Sequence, residues 1–581
     1  MWNTTGAEPL YFGWLDHCVF GFMLLLSTII GMVIACLGKQ DTKLDYLLGG
    51  KTMSTFPIAM SLIFSHVSGI SLMGVPSEIY TYGTQYYIVN LAIIITGVLN
   101  YYIYLPVFFD LQLTSTYEYL ELRFNQHVRV MASLLFTISV ILYIPIVIYV
   151  PALAFNQVTG INLHFITPIV CMVCILYTML GGIKAVVWTD FLQSFVTMGS
   201  VFAVIVIGLI DVGGFSVVWE RNKQGGRLEL FNMDPSLLAR NTFWTVTLGS
   251  TFGSLSSLCV NQGMVQKFIA LPDFRRARSS LVIFTVGMTI VKTIVVFVGL
   301  IMFAAYYDCD PFTTKKILKA DQIVPYYVMD TSADLPGLPG LFVAGIFSAA
   351  LSTMSSNLNC LSGTIYEDFI LPFIRGNKVW EDRAHIIMKI IVFLFGLLCI
   401  VMVFIVEQMG GVYQLSVSLS GVTVGVFLGL FTLGMFFPWA NFKGALAGTV
   451  VGLLFMGWMV FGAQHTNAIG IDTFPYLPLS TEGCETNATF TTTPWSPMST
   501  PHPRYEDSQS EEVFLLYRVS YMLYSVVGTL VVLVVGMVVS WATGFTDTRH
   551  LDPRLIVPIM KRFAGPPVRP HEKQKLYAGP V

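Results

Sequence analysis

Polar side chains stand inside apolar sequence at three places. The first is Ala349-Ala350-Leu351-Ser352-Thr353-Met354-Ser355-Ser356-Asn357-Leu358-Asn359, within the apolar run 338–364. On a helix, Ala349, Ser352, Thr353, Ser355, Ser356 and Asn359 share one broad stripe. A row of hydroxyls offers the oxygen ligands that a small hard cation prefers, and it equally suits close helix packing in lipid. The second place is Ser61 to Pro76, where Gly69, Gly74 and Pro76 oppose an unbroken helix. An unwound stretch there would present backbone carbonyls and two half-helix ends, the form that transporter ion and substrate sites take near mid-membrane; a proline kink is the simpler alternative. The third is Asp190, which follows Gly181-Gly182-Ile183-Lys184. It reads either as a helix cap or as a carboxylate that a cation neutralises. His66 is the only histidine in the middle of an apolar run, and serves either packing or ligand and proton binding. Lys292 either snorkels or faces a cavity.

The elements that must hold these residues are membrane spans. Of 581 residues, 55% are hydrophobic and 11% charged, against about 25% charged in soluble domains. Lys+Arg (32) and Asp+Glu (34) nearly cancel, so the basic footprint of a nucleic-acid binder is missing. HExxH, GxSxG and Walker-type motifs are absent from the sequence, which argues against an enzyme or a nucleotide-driven pump. About 20 apolar residues cross a bilayer. That length predicts thirteen spans, near 15–37, 56–82, 86–109, 128–156, 163–181, 188–211, 241–261, 279–307, 338–364, 383–406, 411–437, 440–463 and 513–541. The first has no basic leader or cleavage site and reads as a retained helix.

Most Lys and Arg fall in one set of loops and in the tail after Thr543, which predicts an extracellular N-terminus and a cytoplasmic C-terminus. The 464–512 loop is then extracellular and carries the glycosylation sequon at Asn487; Asn3 heads a second on the same side. Cys309 and Cys484 also fall outside, where a disulfide survives. The Cys171/Cys174 pair has no second pair to complete a metal site.

Longer stretches carry a resemblance. Gly74-Val75-Pro76-Ser77-Glu78-Ile79-Tyr80, Leu105-Pro106-Val107-Phe108 and Thr114 to Phe124 are three of them. The others are Gly181 to Asp190, Val260-Asn261-Gln262, Pro336 to Phe342, and Lys443-Gly444-Ala445. In these the chain resembles the sodium/solute symporter family, and within it the branch of sodium-coupled monocarboxylate and sodium-dependent multivitamin transporters.

The resemblance implies an all-α, LeuT-like fold, with an inverted five-plus-five repeat whose first helices are broken. The implied organisation is 1–55 (N-terminus, helix 1 and inner loop), 56–213 (first repeat), 214–240 (outer loop), 241–437 (second repeat), 438–463 (helix 12), 464–512 (outer loop), 513–541 (helix 13) and 542–581 (tail). A first sodium site would use the carbonyls of Phe64, Val67 and Ala349 and the hydroxyls of Ser352 and Thr353. A second would use Ser65, Asp190, Ser355 and Ser356. His66, Ser68, Ser71, Gln85 and Gln262 are the substrate candidates. The chain departs from the branch at His66, usually aromatic, and at Thr81, usually Arg.

The implied activity is plasma-membrane import of a small organic anion, a monocarboxylate or a vitamin such as biotin or pantothenate, with two sodium ions and no cofactor. The alternatives are iodide or a neutral solute as substrate, or a sodium-binding sensor without coupled flux.

Overall fold

The computed structural model describes residues 12–37, 42–317, 322–332, 335–374, 377–407, 412–468, 474, 476–484 and 514–563. The described chain is a helical bundle. Its helices are α1 (Trp14–Leu37), α2 (Thr55–His66), α3 (Gly69–Tyr82), α4 (Val89–Leu99), α5 (Gln126–Thr159), α6 (Leu163–Val212) and α7 (Phe243–Ser254). They continue with α8 (Gln262–Ile269), α9 (Phe274–Ala305), α10 (Leu338–Ile365), α11 (Ala384–Glu407), α12 (Val412–Phe436), α13 (Phe442–Ala468) and α14 (Tyr524–Ala542). Nine helical runs among the described residues are long and apolar enough to cross a bilayer, so the chain is a multi-pass membrane protein.

The burial pattern follows from that solvent. α10 is buried along nearly its whole length, packed on α6, α5 and α1. The peripheral α1 leaves Phe22 and Leu25 exposed, which costs nothing against lipid tails. Small residues set the close approaches. A Cβ on Gly340 would lie 2.4 Å from the Asp16 carbonyl oxygen. There Asp16, in the first turn of α1, accepts the amides of Gly337 (2.9 Å) and Gly340 (3.0 Å) and so caps the start of α10 from another helix.

Several boundaries differ from the sequence expectation. The spans near 163–181 and 188–211 join without a loop. The chain turns instead at Gly182 (φ 51°, ψ −150°), a conformation that side chains resist. The 214–240 segment contains a helix, Phe215–Gln224. The last span starts at Tyr524 rather than near 513, because Ser520 is held by the Leu237 and Arg240 carbonyls, which keeps the preceding chain in 3₁₀ turns. The run expected at 241–261 does not end at Asn261. It breaks there (φ −65°, ψ 127°), and the Asn261 side chain caps a new helix, α8, through the amides of Gly263 and Met264.

At one end of the bundle, Cys309 and Cys484 form a disulfide. At the same end the 476–484 segment bonds to Thr81 and Asp310. Arg227 lies buried there, stacked 3.9 Å over Phe303, and burial pushes its guanidinium down to about 10. Glu78 of α3 receives Arg240 through two bonds of 2.9 and 2.8 Å, which ties α3 to the start of α7. At the opposite end, Arg123 donates to the carbonyls of Gly434, Phe437, Pro438 and Ala440 and so caps α12. The tail returns there through Tyr119 to Leu555 and Val557 to Met435. Asn3 and Asn487 lie outside the described residues.

Candidate functional site

The site is built on the break between α2 and α3. Helical geometry stops at Val67 (φ −85°, ψ 98°) and Ser68 (φ −93°, ψ 167°) and resumes at Gly69. The last carbonyls of α2, those of Phe64, Ser65 and His66, therefore have no following turn to donate to them, whereas Ile63 still accepts the Val67 amide. A Cβ on Gly69 would lie 3.2 Å from Ile346 Cγ2, so the break sits against α10 one turn before Ala349. On α10, Thr353 Oγ1 donates to the Ala349 carbonyl at 3.0 Å, and Ser352 Oγ is buried, with no hydrogen bond of good geometry but within reach of the Asp190 carboxylate. A buried hydroxyl without a well-formed hydrogen bond is one that a cation can satisfy.

Four residues cluster one turn further along α10. Asp190 is fully buried inside α6, more than two turns past the bend at Gly182, so it does not cap a helix. Its Oδ2 accepts Ser61 Oγ at 2.5 Å and Ser65 Oγ at 3.2 Å, and Ser65 bonds Ser356 at 2.8 Å. Asp190 Oδ1 makes no hydrogen bond of good geometry, and Ser352 of α10 lies within reach of the carboxylate. Ser355 points elsewhere and donates to the Ser352 carbonyl at 3.0 Å.

Between these groups lies a side chain that the sequence reading placed in a loop. Lys267 of α8 is 2% exposed, so it is a buried ammonium. Its Nζ donates to Ser65 Oγ (2.5 Å), Ser356 Oγ (2.9 Å) and the Ser61 carbonyl (3.3 Å), and stands 3.4 Å from Asp190 Oδ2. Ending the span at Asn261 put Lys267 outside the membrane and hid it. Ser61 was legible as the neighbour one turn before Ser65 on the same helix face.

The substrate candidates separate into two groups. His66, Ser68 and Ser71 stay at the break. His66 and Ser71 are partly exposed, and the His66 ring packs edge-on to Phe284 of α9 at 6.0 Å. Gln85 stands beyond the far end of α3, roughly 20 Å along the helix axis from Ser68, and its amide reaches Glu229 at 3.4 Å. Gln262 is buried with both ends engaged, accepting the Thr116 amide (2.5 Å) and donating to the Thr114 carbonyl (2.8 Å). In this structure it holds the loop at 114–116.

Lys292 has an explained position. α9 runs beside the broken helix, touching Ile63 at Gly287 and Pro76 and Ile79 at Gly299. Lys292 lies between those contacts, level with the break. Its ammonium is 6.0 Å from the Tyr86 ring centroid and within electrostatic reach of His66. No carboxylate among the described residues forms an ion pair with it.

Comparison with known proteins identifies the family and the fold. The sodium:solute symporter family model matches residues 46–452. The human sodium-coupled monocarboxylate transporter 1 is 40% identical over 548 residues, which cover 93% of this chain and 89% of that protein. The rabbit sodium-dependent multivitamin transporter is 38% identical over 554 residues, covering 95% and 86%. The fold matches a Na+-coupled sialic acid symporter solved in a substrate-bound outward-open state, with a TM-score of 0.72, 22% identity and coverage of 92% of this chain and 99% of that one. The family match spans more than half of the sequence and includes both broken helices and the hydroxyl-bearing α10, so the chain belongs to the sodium:solute symporter family.

Proposed function

We propose that this protein is a sodium-coupled symporter that imports a small organic anion, a monocarboxylate or a carboxylated vitamin, across the plasma membrane by alternating access. The observation that carries the reading is the buried Ser352 hydroxyl, which makes no hydrogen bond of good geometry, on a helix packed against the broken one. A first sodium ion binds the carbonyls of Phe64, Val67 and Ala349 and the hydroxyls of Ser352 and Thr353. It bridges α2 and α10, so it favours the conformation in which the two are together. An ion shifts the population only by its preference for that state.

A second sodium ion uses Ser65, Asp190 and Ser356, with Ser355 turning in. Two sodium ions with one monocarboxylate carry one net positive charge, and 100 mV then contributes about 2.3 kcal/mol per cycle beyond the sodium gradient. The anion binds at His66, Ser68 and Ser71, with Lys292 as its counter-charge. An isolated ammonium in a membrane span is costly and marks a functional position.

The chain crosses the membrane thirteen times in two inverted five-helix repeats, broken at Val67–Ser68 and at Asn261. The disulfide end is extracellular, as is the N-terminus, and the C-terminus is cytoplasmic. Asn3 and Asn487 are the glycosylation positions.

Voltage-clamped oocytes test the reading. Lactate, nicotinate, biotin and pantothenate are applied in sodium and then in choline, with iodide as the contrasting anion. We expect inward current with at least one of the carboxylates, in sodium alone. Current with iodide alone would replace the substrate class. Sodium-independent current would reject coupling.

A further inference from the structure

We propose that Lys267 is a tethered competitor for the second cation position: its ammonium and a sodium ion are alternative occupants of the space between Ser65, Ser356 and Asp190. The inference rests on the sodium-coupled reading and adds a regulator to it. The ammonium donates to two of the oxygens that a sodium ion would take there, Ser65 Oγ and Ser356 Oγ, at 2.5 and 2.9 Å. It also stands against Asp190, the only carboxylate of the cluster, at 3.4 Å. Two unit cations in that space would repel strongly in a low-dielectric interior, so one must leave when the other enters.

The ammonium also fits the cluster imperfectly. Asp190 Oδ1 makes no hydrogen bond of good geometry although the residue is fully buried. A sodium ion, without the directional demands of N–H bonds, can draw on that oxygen as well. The exchange has a mechanical consequence. With the ammonium in place, α8 is bonded to α2 through Ser61 and Ser65 and to α10 through Ser356, and pairs with Asp190 of α6. With sodium in place, those bonds are released while the Gln266 amide still holds α8 to the Leu47 carbonyl at 2.6 Å. Entry of the second sodium therefore unlatches the inner half of the second broken helix.

Equilibrium binding of radioactive sodium to the purified full-length chain tests this without needing a substrate. The wild-type chain should bind one sodium readily and a second weakly. Lys267→Gln should tighten the second by about tenfold, inside the 5- to 150-fold range of ordinary site coupling. Lys267→Arg should bind like the wild type, and Lys267→Gln with Asp190→Asn should keep one sodium and lose the second. Superposable isotherms for Lys267→Gln and wild type, or loss of the second sodium in Lys267→Gln, would overturn the proposal. Binding of no sodium by any of them would overturn the sodium-coupled reading with it.

A measurement on the unaltered chain guards against a variant that does not fold. Rising sodium should increase acylation of Lys267 by a small amine-reactive reagent, read by mass spectrometry. Reactivity unchanged by sodium would overturn the exchange.

Discussion

Alanine at Ser352 or Thr353 should raise the sodium concentration for half-maximal transport by roughly 10- to 100-fold, with surface protein unchanged. The size follows from the loss of one oxygen contact to a charge, about 1.5–3 kcal/mol, at about 1.4 kcal/mol per tenfold. The two positions differ in a checkable way. Thr353 Oγ1 already bonds the Ala349 carbonyl, so its removal also frees an acceptor. Ser352 Oγ makes no hydrogen bond of good geometry, so its removal costs the fold less than it costs the ion. Ser352→Ala should therefore leave thermal stability without sodium near wild type and reduce the stabilisation that sodium adds. Equal sodium dependence in both variants and the wild type would remove the first site from the account.

The second large effect belongs to Lys292. Lys292→Met should weaken apparent affinity for the transported anion by roughly 10- to 100-fold, on the same estimate for a charge-assisted contact, and Lys292→Arg should recover part of it. The position is level with the break, beside His66 and Tyr86, and no carboxylate among the described residues pairs with it. Sodium binding without substrate should not change in Lys292→Met, because the sodium ligands lie on α2, α6 and α10 and not on α9. An unchanged anion affinity in Lys292→Met, measured as uptake over a concentration series, would show that the ammonium only snorkels.

Much of this was legible in the sequence, for physical reasons that differ by element. Hydropathy marks long apolar helices well because lipid demands about 20 apolar residues each. α5, α9, α11 and α13 fall close to the expected ranges. An interruption in 56–82 was readable from the glycines and proline of 69–76, but its place was not: the break falls just before them at Val67 and Ser68, and Gly74 and Pro76 lie inside α3. A break in the first helix of the second repeat was implied by the resemblance, but its place at Asn261 was not legible in the residues there. Asn is an ordinary helix terminator and cap, and only the tertiary structure shows that a buried helix follows it. Lys267 was lost with that boundary, since a lysine at a presumed span end counts as a loop charge.

Asp190 had two readings that only distance separates. The cap reading fails because α6 restarts at Gly182, two turns earlier. Gln262 was judged by residue type alone. A glutamine satisfied by the Thr114 and Thr116 backbone looks the same in sequence as one awaiting a ligand.

The central claim is that the sodium gradient drives the anion uphill. Proteoliposomes containing the purified chain, loaded with equal radiolabelled anion inside and out, test it most directly. The anion is whichever of lactate, nicotinate, biotin or pantothenate gives current. On imposing an inward sodium gradient, the account predicts transient accumulation above the outside concentration, enlarged by an inside-negative potential and abolished when sodium is equal on both sides. Equilibration without overshoot would contradict it, leaving a channel or a sodium-binding sensor in place of a symporter.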